Sequence, residues 1–194
     1  YYIIRGGNLM KKFVPAISIV LFPYTIVFCL YCIFSGFLME SVFQNNAYLF
    51  LLILIIIWVV ALVCAISICA VSLVEKWDFI ELSRANMLIK TVSIPAYLVI
   101  FVIGTACMIT IFGFALSIIL MIFDMMSIVL SGLIGISALK RSYDSKAISA
   151  NEMILYGVLQ FVFCADVATS MIVFYKSKKV SRVDKNSPYA IIRE

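Results

Sequence analysis

Two acidic residues of this 194-residue chain stand where acids are expensive, and any chemistry it performs would start from them. Asp124 and Asp166 each fall near the middle of a long apolar run. A carboxylate ionised in hydrocarbon costs about 3 kcal/mol or more, so it must face other helices, bind a cation, or stay protonated. Gln160 lies just upstream of Asp166, and Ser127 and Ser131 follow Asp124 at helical spacing. These five residues (Asp124, Asp166, Gln160, Ser127, Ser131) form a candidate intramembrane polar site. Read one way they pass a proton or cation; read the other way they are interhelical hydrogen-bonding partners that fix packing.

Enzymatic readings find little to work with. The chain has no histidine, which removes histidine-based metal sites and Ser–His or Cys–His nucleophilic pairs. An aspartyl protease working within the membrane needs two carboxylates sharing one proton. Its Gly-x-Gly-Asp motif is missing, because Asp124 follows Met121-Ile122-Phe123 and Asp166 follows Phe163-Cys164-Ala165. Cys29-x-x-Cys32 has a redox spacing but lies in an apolar run without partner charges. All six cysteines fall in apolar runs, so small packing residues explain them better than a disulfide framework does. No P-loop, dinucleotide fingerprint or EF-hand is present. The expectation is a protein without catalytic residues, metal or cofactor.

The elements that must position the acids are membrane helices. Hydrophobic residues make up 65% of the chain and charged residues 13%, against about 25% charged in soluble domains. Apolar runs exceed the roughly 20 residues that a helix needs to cross a bilayer. Runs such as Leu51 to Val63 are apolar on every side, which excludes the alternation of a barrel. The predicted class is an all-α transmembrane bundle of about five helices, with four as the alternative.

The five segments are Phe13 to Leu38, Tyr48 to Val74, Ser93 to Ile111, Phe114 to Leu139 and Met153 to Tyr175. The connection Glu75 to Val92 mixes apolar residues with Lys76, Arg84 and Lys90, a pattern suited to a short helix at the membrane surface. Phe112-Gly113 leaves room only for a helical hairpin. Residues 1–12 form an N-terminal tail, 13–175 the transmembrane domain and 176–194 a basic C-terminal tail. Arg5-Gly6-Gly7 shortly before Met10 can be encoded as a purine-rich ribosome-binding sequence. Residues 1–9 therefore read equally as a translated leader or an ordinary tail.

Lysine and arginine set the orientation. With the N-terminus inside, Arg5, Lys11, Lys12 and the basic residues of two loops collect inside, and the two outer loops have none. Five crossings then place Lys176, Lys178, Lys179, Arg182, Lys185 and Arg193 outside, against the rule. Apolar length favours the fifth crossing and charge opposes it. The fifth-crossing form is the expectation, with four crossings as its rival.

Small residues line three faces: Ser18, Thr25, Cys29, Cys32 and Gly36; Ala61, Ala65, Cys69 and Ser72; Ser127, Ser131 and Gly135. Such faces let helices approach closely. The runs Asn86-Met87-Leu88-Ile89-Lys90, Ile94-Pro95-Ala96-Tyr97, Ser131-Gly132-Leu133-Ile134-Gly135 and Leu159-Gln160-Phe161-Val162-Phe163-Cys164-Ala165-Asp166 carry a resemblance. Together with Asp124 they resemble an uncharacterised multi-pass membrane family of Gram-positive bacteria, which implies the class but no activity. The expected partners are the lipid bilayer and either a second copy or another membrane protein, with no nucleic acid. The expected role is non-enzymatic, of immunity or accessory type, in a bacterial cytoplasmic membrane. A small cation- or proton-coupled transporter built on Asp124 and Asp166 is the alternative.

Overall fold

The computed structural model describes residues 14–36, 40–41, 43–44, 46–110, 113–162 and 164–185. Among these residues the secondary structure is helical throughout: α1 Ala16–Ser35, α2 Ala47–Val74, α3 Phe79–Met108, α4 Gly113–Asp144, α5 Ala150–Leu159 and α6 Ala165–Lys185. Helices α1 to α4 are long and apolar enough to cross a membrane, and the window within α2 reaches a mean hydropathy of 3.5. In hydrocarbon only the helix satisfies each backbone N–H and C=O within its own segment, so apolar runs of this length become helices. The all-α class holds, and the protein is a membrane protein.

Two expected boundaries change. The segment 75–92 is not a separate surface helix, because from Phe79 onward it is the first part of α3. Its polar residues divide: Ser83, Asn86 and Lys90 line one buried face, while Lys76, Asp78 and Arg84 are exposed. The Ile94-Pro95-Ala96-Tyr97 run lies inside α3, with Pro95 within the helix. The segment Met153 to Tyr175 is not one helix, and among the described residues four helices are long and apolar enough to cross, the number of the four-crossing alternative. Residues 1–9, Phe112 and the end of the tail from 186 lie outside the described residues.

The chain forms two compact units. The first comprises Tyr1–Ser67 and Val92–Leu130. There α1 buries Ala16, Ile19, Phe22, Ile26 and Leu30, positions that recur at helical spacing. Of its expected small face only Cys32 is buried, because the larger side chains remove more apolar surface from contact with the surroundings. The Tyr24 hydroxyl donates to the Val92 carbonyl at 2.6 Å, one turn before Pro95, whose ring cannot supply an N–H to the helix ladder. Helices α3 and α4 run antiparallel here, joined across Tyr97 and Ser127, whose hydroxyls are 3.0 Å apart. Gly113 opens α4 where a Cβ would fall 2.4 Å from the Cys107 carbonyl oxygen, so only glycine fits that turn.

The second unit comprises Ile68–Thr91 and Ser131–Glu194. It contains the end of α2, the start of α3, the end of α4, and all of α5 and α6. Arg141 on α4 ties it at one end, donating to the carbonyls of Trp77 at 3.0 Å and Lys76 at 3.2 Å. At the next residue of α4, Ser142 meets Ser83 of α3 and Ser177 of α6. The three buried hydroxyls lie 3.1–3.4 Å apart.

Candidate polar site at the tip of a helical hairpin

Helix α5 begins on a capping box. The Ser149 hydroxyl accepts from the Glu152 N–H at 3.3 Å, and the Glu152 carboxylate accepts from the Ser149 N–H at 3.0 Å. Two N–H groups left over at the helix start are thereby satisfied. The helix then runs 10 residues and stops at Gln160. Beyond it Cys164 takes a left-handed backbone (φ 63°), and α6 starts at Ala165. Neither glycine nor proline stands between Gln160 and Cys164.

Past this break the chain turns back on itself. Lys176 of α6 pairs with Glu152 near the start of α5, and its ammonium lies 5.7 Å from the centre of the Tyr156 ring. Val173 is buried against Leu139 and Ile148, with Met153 and Tyr156 packed beside them. Helices α5 and α6 are therefore an antiparallel hairpin. The hydrogen bond from Lys176 holds the Glu152 carboxyl below its ordinary range, and the same bond raises the Lys176 ammonium. Ten residues of helix extend about 15 Å, half of a hydrocarbon core about 30 Å thick.

The tip of the hairpin is seated on α3 and α4 by polar and steric contacts. Lys90, fully buried on α3, donates to an Asp166 carboxylate oxygen at 3.1 Å and to the Gln160 carbonyl at 3.4 Å. The side chains of this ion pair are 0% and 3% exposed. On α4, Gly132 lets the Phe161 ring approach until an added Cβ would be 2.6 Å away. Gly135 admits the Gln160 side chain in the same way, at 2.3 Å. The Gln160 carboxamide is fully buried, and neither its oxygen nor its nitrogen has a hydrogen-bonding partner among the described residues. Asn86, one turn before Lys90, is also buried, with its side-chain oxygen unpartnered.

The five predicted site residues separate accordingly. Asp166 and Gln160 come together at the tip, with Lys90 between the acid and the broken end of α5. Ser131 is buried on the stretch of α4 that belongs to the same unit. Asp124 and Ser127 belong to the other unit; Ser127 bonds Tyr97, and Asp124 is half-buried. Asp166 thus faces a cation and not a second carboxylate. Lys90 was missed because it was counted with a surface loop. Its signal was in the spacing: Ser83, Asn86 and Lys90 share one helix face that leads directly into an apolar span. The single helix from Met153 to Tyr175 on which the fifth crossing rested is replaced by a hairpin in which α6 returns to the end where α5 began.

Residues 12–179 match the model of a family of unknown function, DUF6652. The chain belongs to that family. The match takes in both acids, Lys90 and the whole hairpin up to Lys179, so the site lies within the part the family shares. No curated protein and no solved structure shows significant similarity to the chain.

Proposed function

We propose that this DUF6652 protein is a non-enzymatic, multi-pass protein of a bacterial cytoplasmic membrane, of the Gram-positive type its sequence resembles. It acts through helix contacts with a second copy or another membrane protein, in an immunity or accessory role. The observation that carries this reading is the Lys90–Asp166 pair. A carboxylate that carries protons or cations must be free to bind and release them, and Asp166 already holds the lysine ammonium as its counter-ion. The pair is neutral, buried and placed where it fastens one element to another, which is the work of a structural tie. Helix α2 supports the contact role. Only 17% of its apolar window is buried inside the molecule, leaving Leu52, Ile56, Val60 and Val63 facing outward for lipid or another helix.

Proteoliposomes holding the purified chain and an internal pH-sensitive dye test the reading against transport. The expected result is proton, sodium and potassium flux no greater than in empty vesicles, with two differently tagged copies or a copy and a membrane partner co-purifying. Flux that Asp124→Asn or Asp166→Asn abolishes while the protein stays folded would replace this reading with the transporter.

A further inference from the structure

Because α6 folds back, its last turns carry an exposed surface whose character changes along a single face. Met171, Ile172 and Tyr175 are outward and apolar, at 43%, 43% and 72% exposure. One turn further the same face presents Lys178, Lys179 and Arg182, all exposed. Residues 171, 175, 178 and 182 recur at helical spacing and so form one continuous stripe. The α3 side chain Arg84 joins it: its guanidinium lies 5.8 Å from the centre of the Phe174 ring, and the Lys178 ammonium lies 5.9 Å from the same centre. Two cations sharing one aromatic ring repel each other unless an anion lies between them. Three acids of this unit pair with other cations, Glu152 with Lys176, Asp144 with Lys140 and Arg141, and Asp166 with Lys90.

We propose that this surface binds an anionic phospholipid of the leaflet that faces the tail, with its phosphate among Arg84, Lys178, Lys179 and Arg182. Its acyl chains lie along Met171 and Ile172, and Tyr175 stands at the boundary between them. The apolar stretch selects a lipid over a soluble anion, and the clustered cations select an anionic headgroup over a zwitterionic one. Tyrosine at that boundary is the usual interfacial residue. The binding is independent of the helix-contact role proposed above, and a positive flux or a failed co-purification would leave it standing.

Native mass spectrometry of the full chain, with phosphatidylglycerol or phosphatidylcholine of identical acyl chains, reads the preference directly. The wild type should retain phosphatidylglycerol selectively, and rising salt should weaken the preference. At roughly fivefold per cation near an anionic surface, K178Q/K179Q/R182Q should bind about 100-fold more weakly. K140Q, which removes a lysine paired to Asp144, should leave binding unchanged. If the triple variant does not fold, R84Q and K178Q singly carry the test, each with about a fivefold loss. Equal retention of the two lipids, an unchanged preference in the variants, or full competition by inorganic phosphate would overturn the proposal.

Discussion

Breaking the buried ion pair at Asp166 should cost far more than its size suggests. In Asp166→Asn the side chain keeps its shape and its ability to hydrogen-bond, but it can no longer neutralise Lys90. A bond between neutral groups in a membrane contributes about 0.6–2 kcal/mol, and Asn would preserve most of it. On that basis alone the substitution would be almost silent. The structure requires another result, because the partner is an ammonium with 0% exposure. Removing one member of a buried pair costs about 3–5 kcal/mol, and placing a lone lysine at mid-bilayer costs about 2.5–3.5 kcal/mol. The two routes agree on about 3 kcal/mol or more. Lys90→Met should cost a similar amount by stranding the carboxylate. The double variant Lys90→Met/Asp166→Leu removes both charges and should return to within about 1 kcal/mol of wild type, as replaced buried pairs do. Reversible unfolding of the full chain in mixed detergent micelles gives all four corners of the cycle. Single variants each costing under about 1 kcal/mol and adding in the double would refute the idea that the pair holds the tip.

Three further results follow from the hairpin. A reporter after Glu194 and one inserted at residues 145–147 should read the same side of the membrane; opposite sides would restore a straight fifth crossing. Gly132→Ala must displace the Phe161 ring and should destabilise by about 1–3 kcal/mol, whereas Gly157→Ala, with nothing within 4 Å of its Cβ, should stabilise helix α5 by about 0.5–1 kcal/mol; unfolding of both variants in the same micelles checks the contrast. The Glu152–Lys176 contact has its carboxyl lowered, so its contribution is complete above the ordinary carboxyl range and is lost as pH falls through the lowered value. Its ammonium is raised, so the same contribution is lost at the alkaline end as pH rises through that raised value. Unfolding of the full chain in the same micelles across pH, with E152Q removing the dependence at both ends, checks that window.

The apolar runs made α1, α2 and most of α4 readable, since in hydrocarbon length and composition leave the backbone one solution. The start of α5, expected at Met153, carried a signal three residues earlier: Ser149-Ala150-Asn151-Glu152 is a capping-box sequence ahead of an apolar run, and the helix starts at Ala150. Its end was not readable. Gln160 to Cys164 offers no glycine or proline to announce a break, and the left-handed residue is a cysteine. Contacts distant in sequence settle the conformation there: Lys90 takes the Gln160 carbonyl, Gly135 admits its side chain, and Gly132 admits Phe161. Asp166 was legible as an anomaly, but its partner was not, because pairing a lysine on α3 with an acid on α6 requires knowing that the two helices meet.

The conflict between apolar length and charge in the last segment has a physical resolution in this geometry. Summed over a straight crossing, the eleven Leu, Ile, Val and Phe residues between Met153 and Tyr175 outweigh one central aspartate, roughly 3–6 kcal/mol against about 3 kcal/mol. That sum treats the segment as isolated in lipid and leaves six basic residues on the wrong side. Folding back keeps much of the apolar gain, because α5 and the first part of α6 still bury Val173 and neighbours against Leu139 and Ile148. It also gives Asp166 a cation, and with four crossings the tail would lie on the side its lysines prefer. A broken helix exposes backbone groups that hydrocarbon cannot satisfy, so such a tip survives only inside protein. Here Lys90 supplies a donor to the end of α5, and the glycines of α4 supply the close wall. Four crossings with a folded-back hairpin would satisfy charge and apolar length at once, and the buried lysine is the reason the fold allows it.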